Sequence, residues 1–82
     1  MTDFELLEGL YVIEGWHTLT DHQRDVLFLV FQDHRKVYEG ARLSNMVRVA
    51  GDITNPNQVR VYYQTEWYHY GINTDTGRSI WY

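Results

Sequence analysis

The chain has 82 residues, 44% of them hydrophobic and 16% aromatic, with one proline and no cysteine. That is enough for one domain with a modest core, which excludes a disordered chain, an enzyme built around a deep pocket, and any disulfide or thiolate metal site. The formal charge of −4 counts against nucleic acid as a partner, but it is unevenly spread: residues 1 to 35 hold two basic and seven acidic side chains, a balance of −5, and residues 36 to 82 hold five and four, a balance of +1.

In chain order, Thr2 and Glu5 form a capping box, and Leu6, Leu7, Leu10, Tyr11 and Ile13 follow at helical spacing, so a first helix is expected over about residues 3 to 14, stopped by Gly15. Thr20 and Gln23 repeat the box ahead of Val26, Leu27, Val30 and Phe31, which predicts a second, well-buried helix to about Arg35. Leu43, Met46, Val47 and Ala50 fall at i, i+3, i+4 and i+7, a third helix stopped at Gly51, with Ile53 tucking the next turn onto the core. Asn55-Pro56 places a preferred N-cap before a preferred first helical residue, and Val59, Tyr63, Trp67 and Tyr70 then make a helical stripe, so a fourth helix is expected over 56 to 70. Residues 72 to 82 read as a hairpin around Asp75-Thr76-Gly77.

Three stretches carry a family likeness. Leu19-Thr20-Asp21-His22-Gln23-Arg24-Asp25-Val26-Leu27 is similar to the opening of the first core helix of winged helix-turn-helix transcriptional regulators. Ala41-Arg42-Leu43-Ser44-Asn45-Met46-Val47 resembles the helix before the turn, and Trp67 to Ile72, continuing through Thr76-Gly77-Arg78-Ser79 to Trp81-Tyr82, resembles a recognition helix running into its wing. The resemblance, which covers residues 19 to 82, implies a mainly α fold with a small β-hairpin wing, in which 19 to 82 are the winged helix core of a single domain; residues 1 to 18 stand before it as a helix and connection expected to serve dimerisation. It also implies a sequence-specific duplex-DNA-binding regulator without catalytic activity or cofactor.

On that helical wheel the outer stripe of the fourth helix presents Asn57, Arg60, Val61, Gln64 and Tyr68 to a major groove, where arginine suits guanine, amides suit adenine and valine meets a thymine methyl. Gln58 and Thr54 would hold phosphate near the helix start, Arg42 and Arg48 would clamp the backbone, and Arg78 at the wing tip would reach backbone or minor groove. The aromatic series Tyr62, Tyr63, Trp67, Tyr68 and Tyr70 reads as core at helical spacing rather than as a base-stacking platform. Four scattered histidines give no metal pattern, and no catalytic signature appears. The small core and the apolar first helix favour a homodimer. No membrane span is present, and the acidic N-terminus is unlike a signal peptide, so a cytoplasmic location is expected.

A second reading takes 46 to 50, 59 to 64, 67 to 72 and 78 to 82 as a four-strand antiparallel meander, because Val59, Val61 and Tyr63 also alternate. The fold is then α+β, and the protein a small adaptor or inhibitor that binds another protein through its acidic front.

Overall fold

Two threonine caps set the helical front of the molecule, whose computed structural model describes residues 2–82. Thr2 Oγ1 accepts from the Glu5 N–H at 3.2 Å and starts α1, Asp3–Tyr11, which buries Leu6 and Leu10 and ends three residues earlier than its apolar pattern suggests. Thr20 starts α2, Asp21–Val37, with both bonds of the capping box in place: Gln23 N–H to Thr20 Oγ1 at 3.1 Å and Thr20 N–H to Gln23 Oε1 at 2.9 Å. A 3-10 turn over Trp16–Thr18 joins them.

From here the chain departs from a winged helix. It builds four strands, β1 (Met46–Gly51), β2 (Val59–Tyr63), β3 (Trp67–Ile72) and β4 (Ser79–Trp81), in one antiparallel sheet of order β1-β2-β3-β4. This is the α+β meander of the second reading, not a mainly α fold with a small wing. The third helix shrinks to a 3-10 turn at Leu43–Asn45, the expected recognition helix over 56 to 70 is β2, a turn and most of β3, and the wing is the β3–β4 hairpin of the same sheet.

The local reason lies in Asn55-Pro56. Asn55 Oδ1 accepts from the Asn57 N–H at 3.0 Å and Asn55 O from the Gln58 N–H at 3.0 Å, so the side chain that could cap a helix closes a tight turn with Pro56 at its second position. Beyond the turn the β-branched and aromatic alternation wins, and Val59, Val61 and Tyr63 are buried while Arg60 and Tyr62 are half-exposed. Ile53, expected against the core, is 91% exposed.

One face of the sheet packs on α2, which touches β2, β3 and β4. Val26, Leu27, Val30 and Phe31 meet Val49, Val59, Val61 and Tyr70 there, with Leu6, Leu10 and Trp16 completing the core. Phe28, partly buried on the flank of α2, packs against its margin. Gly15, at φ 93°, lets the chain press against β1: the Val49 N–H donates to Glu14 O at 2.9 Å, and a Cβ on Gly15 would run into the Val49 carbonyl. Glu14 and Arg48 form an isolated parallel bridge at this point. Among the described residues no helix is long and apolar enough to cross a membrane.

Candidate functional site

The face of the sheet turned away from α2 carries a row of rings. It owes its composition to a bulge in β1. Met46 pairs with Tyr63 and Arg48 with Tyr62, so Val47 is an extra residue and the alternation reverses: Arg48 turns outward and Val49 inward. Cross-strand pairing then lines up Arg48, Tyr62 and Trp67 in one rank and Ala50, Arg60 and His69 in the next, with the Tyr82 backbone bonded to that of His69.

The rings stand against one another. Tyr62 stacks on Trp67 with centroids 5.6 Å apart, Trp67 lies 4.9 Å from His69, and His69 stacks on Tyr82 at 4.6 Å. Guanidinium groups cover two of the rings: Arg48 sits 4.1 Å from the Tyr62 centroid and Arg60 5.7 Å from that of Trp67. Gln58 closes the far end, passing over Gly71, where a Cβ would crowd it, and accepting from the Tyr82 hydroxyl at 3.1 Å.

Beneath this row lies one buried carboxylate. Asp52 is 5% exposed; Thr54 donates to its Oδ1 from Oγ1 at 2.8 Å and from N–H at 2.9 Å. Arg60 Nη2 and His69 Nε2 approach it at 3.7 and 3.6 Å. The Thr54 hydrogen bonds, helped by the two basic neighbours, hold the Asp52 carboxyl below its ordinary pKa against the opposing effect of burial. Arg60 Nε has no hydrogen-bond partner, so the guanidinium is held by Nη2 beside Asp52 and by the Trp67 ring.

The opposite face holds a second polar group, sealed in the core. Tyr63 Oη lies 2.5 Å from Tyr70 Oη, and Tyr70 Oη 2.5 Å from His34 Nδ1. Tyr38 and Trp81 stack on the His34 ring, and Tyr68 and Tyr70 meet it edge-on. Burial lowers the His34 pKa, with Glu66 opposing; it pushes the Tyr63 phenol up to about 12 and raises that of Tyr70 further still. A neutral imidazole protonated on Nε2 satisfies the whole chain in one direction, Tyr63 donating to Tyr70 and Tyr70 to His34. With His34 and Tyr70 at most 1% exposed, this group serves the fold and offers a ligand nothing.

The residues singled out for DNA contact are dispersed by the sheet. Only Arg48 and Arg60 share the outer face, with Gln58 at its end. Val61 is fully buried, and Tyr68 faces inward, half-buried against His34, because both belong to the inner set of alternating positions. Gln64 sits in the β2–β3 turn, its N–H bonded to Asn45 O; Asn57 and Thr54 are held in turns by Asn55 and Asp52. Arg42 folds back onto Glu39 O at 2.7 Å, and Arg78 lies on the exposed β3–β4 turn. The aromatic series, assigned to the core as a block, is divided by the pleat: Tyr63, Tyr68 and Tyr70 inside, Tyr62 and Trp67 outside. Tyr62, Trp67, His69 and Tyr82 are the face residues that sequence reading missed; the two-residue alternation of β2 is the signal that marks Tyr62, and the pairing of β2 with β3 brings Trp67 and His69 to the same face. Among the described residues, no three His, Cys, Asp or Glu side chains converge as a metal site requires. Comparison with protein-family models, characterised proteins and solved structures returns no match, so the reading of this chain rests on its own residues.

Proposed function

We propose that this protein is a small non-catalytic adaptor that docks a protein partner on the outer face of its sheet, through an acidic segment of that partner. The observation that carries the reading is the ring row Tyr62, Trp67, His69 and Tyr82 with Arg48 and Arg60 over it. Tyr, Trp and Arg dominate the binding energy of protein interfaces, and rings held by their neighbours lose little freedom when a partner arrives. The charged side chains that rise from this face, Arg48 and Arg60, are basic, while its carboxylate, Asp52, is buried, so charge complementarity selects a partner that brings Asp or Glu.

Nucleic acid is the competing reading, favoured by the two arginines that share the face. The stacking argues for protein instead. A base needs an open ring face, and here Tyr62, Trp67 and His69 lie against one another and against guanidinium groups, which leaves Tyr82 at the end of the row as the most open ring. Duplex DNA would also gain little from two arginines on a chain of net charge −4.

Amide-resolved NMR titration tests the proposal with three probes: a synthetic peptide alternating glutamate with leucine and tyrosine, its lysine counterpart, and a mixed-sequence DNA duplex. The acidic peptide is expected to shift the amides of β1, β2 and β3, and Trp67→Ala to weaken it about tenfold or more. DNA binding that falls steeply with salt and disappears in Arg48→Ala with Arg60→Ala would overturn the proposal in favour of nucleic acid. Equal response to both peptides would remove the role of charge.

A further inference from the structure

The helical front presents an apolar strip as distinctive as the ring row, and of opposite electrostatic character. While Leu6 and Leu10 of α1 enter the core, Phe4 and Leu7, with Tyr11 and the adjoining Val12, remain 70%, 41%, 57% and 77% exposed. With Glu8 they line one shallow groove. Leu7 also lines the adjoining depression, whose other walls are Trp16, Phe28, Asp21, Arg24 and Asp25, so the strip runs on from α1 to the flank of α2. A helix this short does not hold an exposed apolar flank for its own sake, since these side chains contribute nothing to the core.

The rim decides what fits. No Lys, Arg or His side chain occurs from residue 2 to residue 16, and Asp3, Glu5, Glu8, Glu14, Asp21 and Asp25 are all exposed. Among the described residues, the Lys or Arg side chain beside the strip is already engaged: Arg24 pairs with Asp21 at 3.7 Å and donates to the carbonyls of Trp16 and His17, while the His17 ring stands edge-on to Tyr11 at 4.6 Å. A second copy laid on this surface would bring its own carboxylates against these, and an anionic lipid surface would be repelled in the same way.

We propose that this strip is a second docking surface and that its occupant is a basic amphipathic helix. Such a helix would place an apolar stripe against Phe4, Leu7, Tyr11, Val12 and Phe28, with lysines or arginines facing Glu8, Asp21 and Asp25. The inference is independent of the sheet face. Together the two surfaces make a bridge between partners of opposite charge.

The test is calorimetric titration of the full chain with a synthetic Leu–Lys amphipathic helix, a Leu–Glu helix of the same pattern, and a scrambled Leu–Lys peptide with equal charge and no apolar stripe. The Leu–Lys helix is expected to bind in the micromolar range. Phe4→Ser with Tyr11→Ser, two exposed sites whose replacement leaves the core intact, should weaken it about tenfold or more, and Glu8→Lys about threefold at low salt. Trp67→Ala should leave this binding unchanged, which separates it from the sheet-face reading. Equal binding of the scrambled peptide, or of the Leu–Glu helix, would overturn the proposal. So would a monomer–dimer equilibrium in sedimentation that the Phe4→Ser, Tyr11→Ser variant abolishes, since the occupant would then be a second copy.

Discussion

The two faces of the sheet are equally rich in aromatic residues and use them in opposite ways. Inside, Tyr63 and Tyr70 are tied to His34 by hydroxyl and imidazole groups that have no solvent to turn to, so each depends on the next. Outside, Tyr62, Trp67, His69 and Tyr82 lean ring against ring, and water can replace any one of them. Burial, not residue type, decides whether an aromatic cluster becomes a structural joint or stays open to solvent.

Truncation gives the sharpest contrast. Tyr70→Ala, at a fully buried site, should cost about 3–5 kcal/mol by denaturant unfolding, whereas Trp67→Ala outside should cost about 1 kcal/mol. Equal losses would erase the distinction. Removing only an oxygen sharpens it: Tyr70→Phe strands the Tyr63 hydroxyl and His34 Nδ1 together and should cost about 1–3 kcal/mol, and adding Tyr63→Phe should cost less than the two single changes summed.

The pH dependence separates the faces again. The folded pKa of His34 lies below the ordinary 6.5, so its contribution is present above that value and is lost progressively as pH falls below it towards the lowered folded value. Thermal unfolding from pH 7 downward should show this loss, and His34→Gln should flatten it. Asp52, under the outer face, acts only in a lower window, below the ordinary carboxylate value of 3.8. At the alkaline end the raised Tyr63 and Tyr70 phenols contribute stability that is lost as pH climbs above 10, visible as delayed phenolate absorbance. The smallest effect belongs to Arg48→Ala, about 0.5–1 kcal/mol in stability, detectable mainly through weaker binding of the acidic peptide.

The helical front was legible because its signals are local. Thr2, Thr20 and Gln23 announce caps within three residues, and the stripe behind Thr20 identifies the core of α2 without reference to the rest of the chain. The sheet half was not, because its deciding information is relational. Asn55-Pro56 serves a helix start and a tight turn with the same atoms, and only the pairing of Val59, Val61 and Tyr63 with β1 and β3 selects the turn. Arg48 and Arg60 could be named from the sequence but not placed on one face. Counting by twos from buried Met46 puts Arg48 in the core, and the bulge at Val47 is what turns it out.

The press of Gly15 against β1 bears on how this chain behaves in a crowded solution. A sheet of four strands has two rims, each a row of backbone donors and acceptors that can recruit another chain and seed aggregates. Glu14 takes the Val49 N–H and interrupts one rim near its centre, and the other rim is β4, three residues long and fastened to α2 by the Ser79 hydroxyl on Asp33. Widening the space at residue 15 would therefore unmask a sticky rim, and a Gly15→Ala variant should show its defect first as loss of colloidal stability on concentration.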